Sequence, residues 1–396
     1  MRRIEDWDIA LTPAGRVVAV RCRTTPLVEL RLRWDHPVRL HHTAHEDRLL
    51  AADLMSHAAS SSAEIPTCQL TAHANDYRFG VAITCWRDSW PSVLRAVLVW
   101  LVSDHADDLH AETVEPRSTN DLFHRRDSLD RLADAACLRQ VLGLDEQEFT
   151  PMTDVSRAAR KPADAIADAQ QRLSTAAPLI VLVGDLDSTG ASRRAADLLG
   201  CLWPLTSQGP STLRTAVDSR PPLSHIHAED GRTACRTAMV VPPSPWGPRT
   251  AGDVIAQLVG NPDSGLLVTR LRHQLGYAYD ARCTLEDHGH QRILTYKATV
   301  ADRHAEQTVR EMQQLAGANL AVHRQFEKAL ARARSAVIAA RSLIEADPAS
   351  RATDLVKAIA AGIDPADALD ASDHVAALAS SEVRRLLAAQ REDSPR

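Results

Sequence analysis

The stretch Val28-Glu29-Leu30-Arg31-Leu32-Arg33-Trp34 limits the fold more than any other part of the chain. Apolar and charged residues alternate through it. Only an extended backbone, whose successive side chains point to opposite faces, sorts such a sequence into one buried and one polar face. A strand needs neighbours, and the run Val17 to Arg23 (VVAVRCR) lies just ahead of it across Thr24-Thr25-Pro26. Cys68 to His73 and Arg78 to Trp86 predict two more strands, joined through Ala74-Asn75-Asp76, where Asn and Asp suit a tight turn. Glu46 to Ala59, with Leu49, Leu50, Ala52, Leu54 and Met55 among Ala and Ser, predicts a helix packed on that sheet. After Asp88-Ser89, Pro91 to Val102 sets Val93, Leu94, Val97, Leu98 and Leu101 on one helical stripe.

Helical patterns continue over Asp121 to Leu142 and Ala163 to Leu173. An apolar run, Pro178 to Val183, ends in Gly184-Asp185 and leads to a helix capped by Ser188. From Pro204 to Arg220 the sequence turns to Pro, Ser, Thr and Gly without periodicity, the mark of a linker. The order of elements then recurs: a strand at Cys235 to Val241, helices at Ala251 to Val259 and Ser264 to Gln274, paired strands at Ala278 to Thr284 and Ile293 to Val300, a helix at Ala305 to Leu315, and a long helix from His323 to Glu345. This predicts an α+β chain of two similar halves, residues 1–207 and 229–396, joined by 208–228. A chain of 396 residues favours two cores, because single cores stop growing at about 250 residues.

Several function classes are disfavoured by composition. A formal net charge of −5 with interspersed signs does not make the clustered basic face that nucleic acids require. The seven cysteines are odd in number, scattered and without a C-x-x-C pair, so they read as reduced core residues. No run reaches the roughly 18 apolar residues of a membrane span, and MRRIEDWDIAL is not a secretory leader, so a cytoplasmic protein is expected.

The segment Ser264 to Cys283, SGLLVTRLRHQLGYAYDARC, resembles the C-terminal signature of the insulinase and pitrilysin metallopeptidases, S-R-L-x-x-x-L-R-x-x-x-G-x-A-Y. Leu271, Arg272, Gly276, Ala278 and Tyr279 match it in register; Ser264 and Leu266 match with one extra residue before Leu271, and Gly265 then replaces the usual Arg. The resemblance implies two α/β-roll halves, each a mixed, mostly antiparallel sheet packed against helices. It also implies that Arg272 and Tyr279 hold the substrate backbone, the first through a planar fork of donors and the second through a hydroxyl on a rigid arm. Arg270 and Tyr277 share the same spacing.

Active members carry H-x-x-E-H on the first helix, where two His one turn apart hold zinc and the Glu activates its water. No H-x-x-E-H occurs here. Laid on that helix, LLAADLMSHAASSS puts Ala51 and Met55 at the histidine positions and Leu54 at the glutamate position. None of the three ligates zinc or takes a proton. Kept Arg and Tyr with a lost zinc motif resembles the substrate-binding subunit of a heterodimeric zinc peptidase, whose homologous partner supplies H-x-x-E-H and the zinc. Two alternatives stay open: a structural or assembly subunit without peptide binding, and a peptidase using a metal site assembled from HHTAHE (His41, His42, His45, Glu46), through His42 and His45, and a distant carboxylate.

Weaker motifs take bland readings. His288 and His290 sit at a hairpin tip. GDLDSTG lacks the G-K-S/T ending of a phosphate loop, and Ser60, Ser61 and Ser62 near His57 have no nucleophile elbow around them.

Overall fold

The computed structural model describes residues 6–35, 50–55, 68–75, 78–103, 129–142, 162–203, 223–227, 230–241, 248–288 and 291–389. These form two compact units, each with its own sheet. The first unit takes residues 1–122, 150–213 and 344–360; the second takes 123–149, 214–343 and 361–396.

The first unit holds six strands: β1 (Trp7–Thr12), β2 (Gly15–Arg21), β3 (Leu27–Asp35), β4 (Gln69–Asn75), β5 (Arg78–Trp86) and β6 (Leu179–Gly184). Their order is β1-β2-β6-β3-β5-β4, with β2 and β6 parallel and every other pair antiparallel. Val28, Leu30, Leu32 and Trp34 enter a core shared with Phe79, Val81, Ile83, Ile180 and Leu182, as the alternation predicts. The helices Trp90–Val102, Pro162–Ser174 and Ser188–Leu202 close that core with Val93, Leu94, Val97, Leu98, Leu101, Ile166, Ala169, Leu173, Ala195 and Leu199. The last helix is capped by Asp187, whose side chain accepts from the Gly190 N–H at 3.0 Å. Ser188, expected as its cap, is instead its first residue and donates to Asp6.

The opposite face of β3 departs from expectation. Glu29 and Arg33 are each only 5% exposed. Helix Pro348–Ala360 lies over this face: Arg31 Nε donates to Thr353 Oγ1 at 3.1 Å and Nη2 to the Ala349 carbonyl at 3.2 Å. Strand β3 is therefore buried on both sides, because a helix more than three hundred residues later in the chain covers its charged face.

The second unit holds β7 (Leu223–His227), β8 (Arg232–Val241), β9 (Ala278–His288) and β10 (Gln291–Ala301), in the order β7-β8-β10-β9 and antiparallel throughout. Strand β7 falls inside the stretch read as a linker, 208–228. Its sequence LSHIH has too few apolar residues to announce a strand, and it pairs with β8 by backbone hydrogen bonds that composition does not reveal. One face of the sheet shares a core with helices Pro248–Gly260, Ala305–Gln314, Phe326–Ala346 and Ser380–Ala389 through Val254, Leu258, Leu294, Tyr296, Met312, Phe326, Leu330 and Leu387.

The other face carries Arg236 and Lys297, and helix Leu129–Leu142 belongs to this unit and covers it. Arg236, 1% exposed, donates through Nε to Asp134 and through Nη2 to Asp130, both at 2.5 Å, and through Nη1 to the Cys235 and Ala298 carbonyls. Each sheet is thus covered on its polar face by a helix that lies, in sequence, among the elements of the other. No described helix is long and apolar enough to cross a membrane.

Candidate functional site

Asn261 opens the segment that carries the resemblance: its Oδ1 accepts from the Asp263 and Ser264 N–H groups, each at 3.0 Å. Gly265 follows, where the usual family residue is Arg. A Cβ there would stand 2.5 Å from both the Asn261 nitrogen and the Val259 carbonyl oxygen, so this backbone packs too closely for any side chain. The departure from the pattern is thus matched by a local tightening.

A short helix, Leu266–Val268, continues into a π-helical turn, Thr269–Gln274. Leu266, Leu267, Val268 and Leu271 are buried and anchor it to the second unit's core. The widened turn closes through Leu275 N–H to the Arg270 carbonyl at 3.1 Å and Tyr277 N–H to the Leu271 carbonyl at 2.8 Å. Such turns hold polar side chains at angles a regular helix does not offer, and they recur at functional sites. Here Arg272 lies on the turn and is exposed. Gly276, at φ +64°, reverses the chain into β9, a conformation that disfavours any residue with a Cβ.

Tyr279 also falls on an irregularity. In the β9–β10 ladder Ala278 opposes Val300 and Asp280 opposes Thr299, so Tyr279 is the extra residue of a β-bulge. A bulge lets the strand change which residues face the core: Ala278 before it and Ala281 and Cys283 after it are all buried. Both residues singled out by the resemblance therefore sit where the regular backbone is interrupted, one on a π-turn and one on a bulge.

The second pair with the same spacing has a different environment. Arg270 makes a two-pronged contact with Glu311, Nε to Oε2 and Nη2 to Oε1, both at 2.8 Å, and Nη1 reaches Gln274. The Tyr277 hydroxyl meets Gln307 Oε1 at 3.2 Å, and its ring stacks on His304 with centroids 4.1 Å apart. Arg270 and Tyr277 hold helix Ala305–Gln314 to the segment. Sequence spacing alone gave no sign of these contacts; the acid that Arg270 meets, Glu311, lies far along the chain.

In the first unit, residues 50–55 are helical. Ala51, 3% exposed, and Leu54, fully buried, pack into the apolar core, whereas Met55 is 37% exposed. None brings a metal ligand or a base to this helix. Among the described residues no cluster of three or more His, Cys, Asp or Glu could hold a metal ion. The HHTAHE stretch, His57, Ser60 to Ser62 and His290 lie outside the described residues.

Of the seven cysteines, Cys22, Cys85, Cys137, Cys235 and Cys283 are buried as the sequence suggests, Cys68 is half-buried and Cys201 is exposed. Burial pushes the Cys85 thiol up to about 12 and the Cys235 thiol up to about 11, so both are neutral sulfhydryls and poor nucleophiles.

Residues 170–330 match the family described as the peptidase M16 inactive domain. No curated protein matches the chain at a significant level. Among solved structures, a protease from Helicobacter pylori superposes with TM-score 0.75 at 13% identity, covering 97% of this chain and 96% of that one. A peptidase M16 inactive domain from Pseudomonas fluorescens gives TM-score 0.71 at 14% identity, covering 96% and 94%. A chain of complex III2 from Candida albicans gives 0.64 at 13% identity, covering 96% and 92%. The resemblance carried by Ser264 to Cys283 thus lies inside the stretch, residues 170–330, that matches the peptidase M16 inactive domain, and the fold of the whole chain is similar to that of the M16 structures.

Proposed function

We propose that this chain is the non-catalytic, substrate-binding subunit of a heterodimeric zinc metallopeptidase. Its homologous partner would supply H-x-x-E-H, the zinc and the water-activating Glu, and this chain would hold the peptide with Arg272 and Tyr279. The observation that carries the reading is the placement of Arg272 on an exposed π-turn and of Tyr279 on a bulge. Ala51 and Leu54, packed in a core at two of the three motif positions, support the absence of a hydrolytic centre in this chain. A guanidinium fork and a phenol suit peptide carbonyls, and positioning of that kind contributes through the partner's chemistry, not in place of it. The free cysteines support a reducing, cytoplasmic setting.

The test is cleavage of unstructured peptides by this chain, by an H-x-x-E-H homologue encoded beside it, and by the two mixed, with zinc measured in each. The reading expects activity only in the mixture and zinc only in the partner. In that mixture Arg272→Ala should lower peptide cleavage by at least tenfold with little change in stability. Arg270→Ala should destabilise the chain by about 2 kcal/mol, since it strands the buried Glu311 carboxylate. Stoichiometric zinc in this chain alone would favour a metal site at HHTAHE instead.

The likeness to a complex III2 chain favours a second reading, a structural or assembly subunit. Unchanged cleavage in Arg272→Ala and Tyr279→Phe mixtures would select it.

A further inference from the structure

The β4–β5 hairpin holds a feature that peptide binding does not use. In its ladder Gln69 opposes Thr84, Leu70 opposes Ile83 and Thr71 opposes Ala82. Carried one residue back, the same register sets Cys68 against Cys85. Directly opposed residues share a face of the sheet, and the burial agrees: Cys85 lies in the apolar core and Cys68 packs against that core half-buried. Opposed Cα atoms in an antiparallel ladder stand about 4.5 to 5.5 Å apart, within the roughly 4.4 to 6.8 Å that a disulfide spans. No other two cysteines oppose each other in the described ladders.

We propose that Cys68 and Cys85 are a disulfide-forming pair, reduced in the form described here, whose oxidation by a small-molecule disulfide fastens the edge strand β4 to β5. Among the described residues, strand β4 ends the six-stranded sheet and has a neighbour on one side only. Strands in that position are held by half the ladder bonds of an interior strand, so a covalent link acts where the sheet is weakest.

The exchange runs in two steps. Cys68, the more accessible thiol, loses its proton to water, and its sulfur attacks one sulfur of the small disulfide. A mixed disulfide forms and one small thiolate leaves, taking up a proton. Cys85 then loses its proton and attacks the Cys68 sulfur, and the second small thiol departs. The protein gives up two hydrogens and two electrons, and the small disulfide becomes two thiols. Burial raises both thiols, and for Cys85 charge repulsion from the neighbouring Cys68 raises it further, so the exchange is slow at neutral pH and quickens as pH rises.

The experiment incubates the full chain with glutathione disulfide at pH 7, 8 and 9, blocks remaining thiols under denaturing conditions and maps the peptides by mass. The expected product is a linked Cys68–Cys85 peptide, lighter by two hydrogen atoms, formed about tenfold faster for each pH unit and reversed by excess dithiothreitol. Hydrogen exchange of the β4 amides should slow at least tenfold in the oxidised chain. With Cys85→Ser the reaction should stop at glutathione on Cys68. Free thiols at both positions after equilibration at pH 9, a mixed disulfide on Cys68 that never resolves in the unaltered chain, or a different linkage would each overturn the proposal. Since mapping is done on the unaltered chain, a folding defect in the variant does not blunt it.

Discussion

The two units solve one problem in two ways. Among the described residues, each sheet has an apolar face in a core and a polar face covered by one helix. In the second unit the polar face presents cations and the covering helix presents acids: Arg236 and Lys297 from the sheet meet Asp130 and Asp134 from helix Leu129–Leu142. In the first unit the sheet settles its own charges. Arg31 pairs with Glu29 two residues away, Thr84 donates to the same carboxylate, and Arg33 pairs with Asp35. Helix Pro348–Ala360 gives Arg31 the neutral Thr353 hydroxyl and the Ala349 carbonyl, and buries Ala352, Leu355, Val356 and Ile359 together with the cation Arg351. One cover meets the sheet's cations with acids and the other brings a broad apolar contact, so equal burial conceals unequal sensitivity.

That contrast can be broken by substitution. The largest effect is expected at Arg236→Met, which removes the partner of two carboxylates and leaves two carbonyls without their donor. A loss of about 4 kcal/mol follows for a buried pair broken on one side, and the partial exposure of both acids keeps it from being larger. Hydrogen exchange over 129–142 should rise with it. Unchanged protection there would end the electrostatic account of this unit.

Leu355→Ala should cost about 3 kcal/mol through lost burial and the cavity left behind. Tryptophan fluorescence reports it, because six of the seven tryptophans lie in the first unit and Trp34 packs on Trp203 with ring centroids 5.3 Å apart.

A smaller effect sharpens the contrast through pH. Burial alone would raise the Asp130 carboxyl, but the hydrogen-bonded Arg236 guanidinium outweighs this and holds it below the usual carboxylate range. A depressed acid gives its stability in full above the unfolded-state value and loses it as pH falls through the folded one. Protection of helix Leu129–Leu142 should therefore decline as pH falls below the ordinary carboxylate value of about 4, and Asp130→Asn should flatten that decline while costing about 1 kcal/mol at neutral pH. Thr353→Ala should do least, about 0.5 kcal/mol, since it deletes one neutral acceptor at the edge of an apolar contact. A larger loss there, read from the urea midpoint, would show the first cover to be polar after all.

What the sequence revealed follows the range of each interaction. Alternation in β3 and the stripe at Val93, Leu94, Val97, Leu98 and Leu101 are local, so strand and helix were legible. The second burial of Glu29, Arg31 and Arg33 was not, because their cover lies more than three hundred residues away. Helix Leu129–Leu142 reads as part of the first half by chain order alone; its place is fixed by Arg236, about a hundred residues on. Strand β1, WDIALT, carries no clean period, and only its ladder with β2 marks it as a strand. At the candidate site the family pattern drew attention to Arg272 and Tyr279, but spacing alone could not separate them from Arg270 and Tyr277. The π-turn and the bulge are backbone events that no spacing of side chains encodes. Ala51 and Met55, one helical turn apart, differ in exposure, which places the edge of the core between them.

The crossed placement of the two covering helices has a consequence for how the chain can be divided. A polypeptide ending at residue 213 would carry the six strands of one sheet together with the lid of the other, and the remainder would carry the converse mismatch. Neither piece could finish its own interior. Supplied together, they would have reason to reassemble, so this protein is suited to fragment complementation, in which a signal appears only when both severed parts are present in the same solution.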